Sequence, residues 1–138
     1  MNTAKTIMEE QKQVDKYLQE VGQYDLLSAE EEQTLLAQAL DGDKSAFDKV
    51  LCANLRYTVS LTARYKNRGL SLLQLFEVSK QGLANAIMAS ASKSQDERLI
   101  TFALPFIRQA IVKKIREVRG ATSYMMLQRM TQLDEKEM

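Results

Sequence analysis

Between Arg98 and Gly120 the chain carries six basic residues and, after Asp96 and Glu97, a single acid, Glu117. If this stretch is helical, Gln109, Lys113 and Arg116 stand at i, i+4 and i+7 and share a face. Ile107, Ile111 and Ile115 then point to the opposite side. An apolar back with a basic front can lie along phosphates, with salt-dependent affinity and no sequence preference. Gln109 has the geometry to read an adenine edge in a major groove. The alternative is a solvated face whose cations sit near a helix C-terminus, where the macrodipole favours them. The same stretch holds the only proline, Pro105, between Phe102 and Phe106.

Other chemistry finds few residues to support it. The chain has no histidine and one cysteine, Cys52, so no Cys–His zinc spacing exists and Cys52 has no imidazole to activate it. One thiol excludes an internal disulfide framework and fits a reducing compartment, where Cys52 reads as a small buried hydrophobe. No glycine-rich phosphate loop is present. The carboxylates of DGDKSAFD (41–48) lack the continuing oxygen-ligand spacing of a calcium loop. Catalysis would rest on Lys, Glu or Tyr without a recognisable partner. The expectation is a protein that is not an enzyme and needs no cofactor or metal.

The elements that must position the basic face follow from composition and period. A chain of 138 residues is expected to form one domain, here residues 1–120, followed by a short tail, 121–138, with a weak amphipathic pattern. The start, MNTAKTIMEEQKQ, lacks the order of a signal peptide, and no apolar run approaches the roughly 20 residues that span a bilayer. A cytoplasmic location without membrane contact is therefore expected. Residues 1–51 hold 5 basic and 11 acidic side chains, a balance of −6; residues 52–128 hold 12 and 4, a balance of +8. That asymmetry suits a second part that meets a polyanion.

Glycine and proline are scarce and β-branched residues do not cluster, so the chain reads as all-α, a compact bundle of about five to six helices. The first helix is expected over Thr6–Val21, with Val14, Tyr17, Leu18 and Val21 on one side and Gly22 after its end. SAEE (28–31) is a capping box that opens a second helix. DGD (41–43) ends it, with Gly42 at positive φ and Asp43 capping a third. The third carries Phe47, Val50, Leu51, Leu55, Val59 and Thr62, with a break expected at Asn54, and NRG (67–69) stops it. Ser71 starts a fourth. SASKSQDE (90–97) reads as an exposed, mobile loop. The last long helix is expected to run from near Thr101 or Leu104 to about Arg119, where Gly120 ends it; because proline fits best in a first turn, a start near Leu104 or a distortion there is expected.

On these elements lie stretches that together resemble the bacterial housekeeping-type sigma factors, the promoter-specificity subunits of RNA polymerase. They are YLQEVG (17–22), LLSAEEE (26–32), GDKSA (42–46), NLRYTVS (54–60), RYKNRGLSLLQL (64–75), QGLANAI (81–87) and FIRQAI (106–111), in family order and spacing. The resemblance implies the end of the family's region one and all of region two. The helix matching Leu72–Ala86 would dock on a coiled coil of the largest subunit of core RNA polymerase, through Gln74, Glu77, Val78, Lys80 and Gln81. The helix matching Phe102–Ile115 would contact promoter minus-ten DNA through Phe102, Phe106, Arg108, Gln109, Lys113 and Arg116. The Tyr17–Leu27 segment would touch DNA just downstream.

Two departures shape the expected function. FALPFIRQAI (102–111) stands where the family shows Tyr-Ala-Thr-Trp-Trp-Ile-Arg-Gln-Ala-Ile, so Pro105 and Phe106 replace a tryptophan pair and stacking area is lost. The family's Asp-Leu-Ile-Gln-Glu-Gly-Asn run appears as Gln74 to Lys80, with two carboxylates lost and a lysine gained. One reading is a sigma-like initiation domain that binds polymerase and minus-ten DNA. The other is a sigma-like protein-interaction module that has lost promoter melting and modulates polymerase or an anti-sigma protein. A helical domain that retains neither activity is the third.

Overall fold

A computed structural model describes residues 3–119 and Arg129. The expected tail, 121–138, lies outside the described residues except for Arg129. Five α-helices are present among them: α1 (Thr3–Val21), α2 (Ala29–Leu40), α3 (Lys44–Thr62), α4 (Leu72–Met88) and α5 (Leu99–Arg119). The fold is an all-α bundle, and α4 packed on α5 is its most extensive pairing.

Local chemistry sets most of the helix ends. Ser28 Oγ accepts the Glu31 N–H at 3.1 Å, and the Glu31 carboxylate accepts the Ser28 N–H at 3.1 Å, so the capping box is closed. Asp43 caps α3 by accepting the Ala46 N–H at 3.1 Å, and Gly42 takes φ 99° in the turn before it. A second box opens α4: Ser71 Oγ accepts from the Gln74 N–H at 3.1 Å and Gln74 accepts from the Ser71 N–H at 2.9 Å. Between α3 and α4 the chain makes a 3-10 turn, Ala63–Tyr65, then uses positive φ at Asn67 (66°) and Gly69 (107°).

The core joins all five helices. Val21, Leu36, Val50, Leu75, Leu83, Ile87, Leu99, Ile107, Ile111 and Ile115 are buried in one cluster. Full burial of each large aliphatic is worth about 1.5–3 kcal/mol. α1 is fastened by Tyr17, whose ring stacks on Phe76 of α4 with centroids 4.5 Å apart and planes 7° from parallel. Burial raises the Tyr17 phenol above its ordinary pKa.

Three expectations require correction. α3 runs unbroken through Asn54, because the buried amide Nδ2 donates to the Val50 carbonyl at 2.8 Å and meets its own need inside the helix. The 90–97 segment is largely exposed but organised: it contains a 3-10 turn, Ser90–Ser92, and Lys93 Nζ donates to the Ser94 carbonyl at 2.8 Å and to that of Glu97. α5 begins at Leu99, with Pro105 inside it. Thr101 and Pro105 are both exposed, so the Thr101 carbonyl that loses its partner faces water.

Candidate nucleic-acid interface

The interface starts from an anchor at the beginning of α5. Helix N-termini leave backbone N–H groups without a partner inside the helix, and the first turn of α5 needs an acceptor from elsewhere. Glu32 of α2 supplies one. Its Oε1 accepts the Leu99 N–H at 2.8 Å and the Arg98 Nε–H at 3.3 Å, and its Oε2 accepts from Arg98 Nη2 at 3.4 Å. Arg98 Nη2 also donates to the Leu27 carbonyl at 2.9 Å. Glu32 is 2% exposed, so its charge stands in a low-dielectric position against the positive end of the α5 dipole. The LLSAEEE segment thus orients the basic helix.

From that anchor α5 presents an outer stripe. Thr101, Pro105, Gln109, Lys113 and Arg116 are all exposed and recur at helical spacing. Phe102 and Phe106 flank the stripe, half-buried; their ring centroids are 5.2 Å apart at 40°. Arg108 is 3% exposed and lies on the inner side with Ile107 and Ile111. Of the six residues expected to contact DNA, the structure therefore brings Gln109, Lys113 and Arg116 together, keeps Phe102 and Phe106 beside them, and places Arg108 beneath the surface.

The inner side of α5 is held by close packing. A Cβ on Gly82 of α4 would stand 2.7 Å from Ile107 Cα and 2.9 Å from the Phe106 carbonyl oxygen. Backbone meets backbone there, and only glycine allows it. The outer face of α4 exposes Gln74, Glu77, Lys80 and Gln81, while Val78 is half-buried against the core. Gln74 is engaged in the α4 cap, and Gln81 Nε2 donates to Asn85 Oδ1 at 3.0 Å. Glu77 and Lys80 are thus the charged groups this face presents.

The α1–α2 connection lies over the far side of α3. Arg56 Nη2 donates to the Tyr24 carbonyl at 2.8 Å, and the Tyr24 hydroxyl donates to Glu20 at 3.1 Å. Hydrogen bonding with the Cys52 thiol, then with Glu20, pushes the Tyr24 phenol up to about 12. Among the described residues, no group of three His, Cys, Asp or Glu could hold a metal, and no helix is long and apolar enough to cross a membrane.

Sequence reasoning missed Glu32 and Gly82. Glu32 had a faint signal: it lies four residues before Leu36 and seven before Ala39, on the apolar side of α2, where a carboxylate needs a partner. Gly82 likewise falls on the buried side of α4 with Leu75, Ser79 and Ala86.

Residues 14–45 match the family model for Sigma-70 factor, region 1.2. The RNA polymerase sigma factor SigA of Clostridium acetobutylicum is 39% identical over 104 residues, which are 75% of this chain and 27% of that relative. The RNA polymerase sigma factor SigA of a Bacillus species is 36% identical over 104 residues, with the same coverage of both chains. The chain therefore matches about a quarter of the length of these curated relatives, 27% in each. Taken with the helical architecture, these similarities place the chain in the sigma-70 family.

Proposed function

We propose that this chain is a sigma-like transcription-initiation domain that binds core RNA polymerase and promoter minus-ten DNA. The observation that carries the DNA contact is the exposed alignment of Gln109, Lys113 and Arg116 on a helix whose start is pinned by Glu32. Phe102 and Phe106 border that contact. Arg108, being buried, supports it from within. The polymerase contact uses the outer face of α4 around Glu77, Lys80 and Gln81, with Gln74 and Val78 at its margin, against the coiled coil of the largest subunit. The Tyr17–Leu27 segment lies along DNA downstream of the minus-ten element. Residues 1–120 act as one domain, in the cytoplasm, with no catalytic step and no membrane contact.

The test is fluorescence anisotropy with labelled minus-ten DNA across a salt series, for the wild type and for Lys113→Glu with Arg116→Glu. We expect wild-type affinity that falls steeply with salt and a variant that loses most of it at low salt. Absence of salt-dependent affinity for duplex, forked or single-stranded promoter DNA sinks the reading.

A second reading is favoured by the α4 face. Gln74 is drawn into the helix cap and Lys80 stands exposed beside Glu77, so the face is less acidic than one suited to a basic coiled coil. In that reading the domain is an interaction module for polymerase or an anti-sigma protein. Binding to core polymerase that a housekeeping sigma factor displaces, retained in the charge-reversed variant, supports the module.

A further inference from the structure

Taking a base out of a DNA stack costs a few kcal/mol, and proteins that do so offer a free π face in return. The outer stripe of α5 has none. Its outermost members at the aromatic end are Thr101 and Pro105. The Phe102 and Phe106 rings are turned onto each other, and both pack against the core cluster. A base arriving on the stripe meets a pyrrolidine ring, with two half-buried phenyl rings engaged with each other beside it. Tyr57, 42% exposed, belongs to α3 and not to the stripe.

The cations, by contrast, come in two rows. One is the α5 row of Lys113, Arg116 and Arg119, all exposed. The other is the turn between α3 and α4, with Lys66 exposed and Arg68 half-buried. The two rows adjoin because the Arg119 side chain lies over Gly69. Its Cδ and Cγ stand 2.3 and 3.0 Å from where a Cβ on Gly69 would be, and Gly69 has φ 107°. A single strand offers one line of phosphates, whereas a duplex offers one on each side of a groove.

We propose that this site takes intact duplex DNA and removes no base from the stack. Lys113, Arg116 and Arg119 neutralise phosphates of one strand, and Lys66 and Arg68 those of the other. The proposal rests on the DNA reading above and specifies the form of DNA that the same site accepts.

The experiment compares the full chain on two probes of one minus-ten sequence, the duplex and its single strand, each with 2-aminopurine at one adenine. Anisotropy gives affinity across a salt series and 2-aminopurine fluorescence reports unstacking. We expect the duplex to bind at least about ten-fold tighter at equal salt, with no rise in 2-aminopurine signal. Five phosphate contacts predict a loss of roughly 500-fold in duplex affinity between 50 and 200 mM salt. Lys66→Ala with Arg119→Ala, both at exposed positions, should lower the duplex slope by about 1.8 and the single-strand slope by only about 0.7, because a strand lying along either row loses one contact. Tighter binding to the single strand, with a brighter 2-aminopurine, overturns the proposal. An unaltered duplex slope in the double variant overturns the two-row assignment. Binding to neither probe at low salt overturns the DNA reading itself, a result distinct from single-strand preference.

Discussion

The Glu32 carboxylate of α2 accepts the backbone N–H of Leu99, the first residue of α5, at 2.8 Å. A side chain 67 residues away in sequence thus does the work usually done by a local cap. Glu32→Ala leaves a buried N–H and the Arg98 guanidinium short of a partner, and should cost about 2 kcal/mol. Half of Arg98 is in water, which holds the loss below that of a fully buried ion pair. Glu32→Gln keeps an acceptor for Leu99 and should cost about 1 kcal/mol. Urea denaturation reads both, and a Tm fall of roughly 8 °C is expected for the alanine variant. Alanine and wild type with equal midpoints would show that the cap carries no stability.

This long-range anchor explains what could and could not be read from the chain. The Ser28–Glu31 box and the Asp43 cap were legible because donor and acceptor lie three residues apart and leave a pattern. The start of α5 was not. Period and proline statistics favour a helix that begins near Thr101 or Leu104, but Glu32 fixes the first turn six residues before Pro105, at Leu99. The two faces of α5 were legible from period alone, since Ile107, Ile111 and Ile115 are buried and Lys113 and Arg116 exposed. The burial of Arg108 was not, because its residue type argues for the surface and only its register with Ile111 and Ile115 argues otherwise.

Gly82→Ala tests the crossing that sets α5 against α4. The new methyl would meet Ile107 Cα at 2.7 Å and the Phe106 carbonyl oxygen at 2.9 Å, both backbone atoms. Neither can rotate away, so the helices must part. The gain in helix propensity is about 1 kcal/mol and overpacking typically costs 1–3 kcal/mol. We expect a net loss of up to about 2 kcal/mol and weaker DNA binding, because the stripe moves with its helix. A variant more stable than the wild type in urea would show that this crossing has room to spare.

The capping box of α2 makes a pH prediction. The Ser28 backbone N–H, and then its hydroxyl, hold the Glu31 carboxyl below the ordinary carboxylate range. The charged form is therefore favoured by folding. Its contribution is complete above the ordinary carboxylate pKa and is lost as pH falls through the depressed folded value. Carboxyl NMR should show Glu31 titrating below the other exposed glutamates, and Ser28→Ala should return it only part of the way, since the backbone donor remains. Titration of Glu31 in the ordinary range would mean the box is open in solution.

Pro105 offers the sharpest test of how the stripe meets DNA. It is exposed in the interior of α5, so Pro105→Ala restores a backbone donor to the Thr101 carbonyl without entering the core. Helix propensity favours alanine by about 3 kcal/mol, and the freer unfolded chain takes back about 1 kcal/mol. A net stabilisation of about 1–2 kcal/mol is expected. Pro105→Trp restores the same donor and also places an indole on the stripe, where the wild type has no π face. Stacking of one base is worth about 1–3 kcal/mol, so single-strand affinity should rise by roughly 5- to 150-fold over Pro105→Ala, while duplex affinity stays level. The alanine variant separates the stacking effect from the gain in helix stability. If the indole adds nothing to single-strand binding, the stripe fails to meet the bases at all, and its contact with DNA is confined to phosphates.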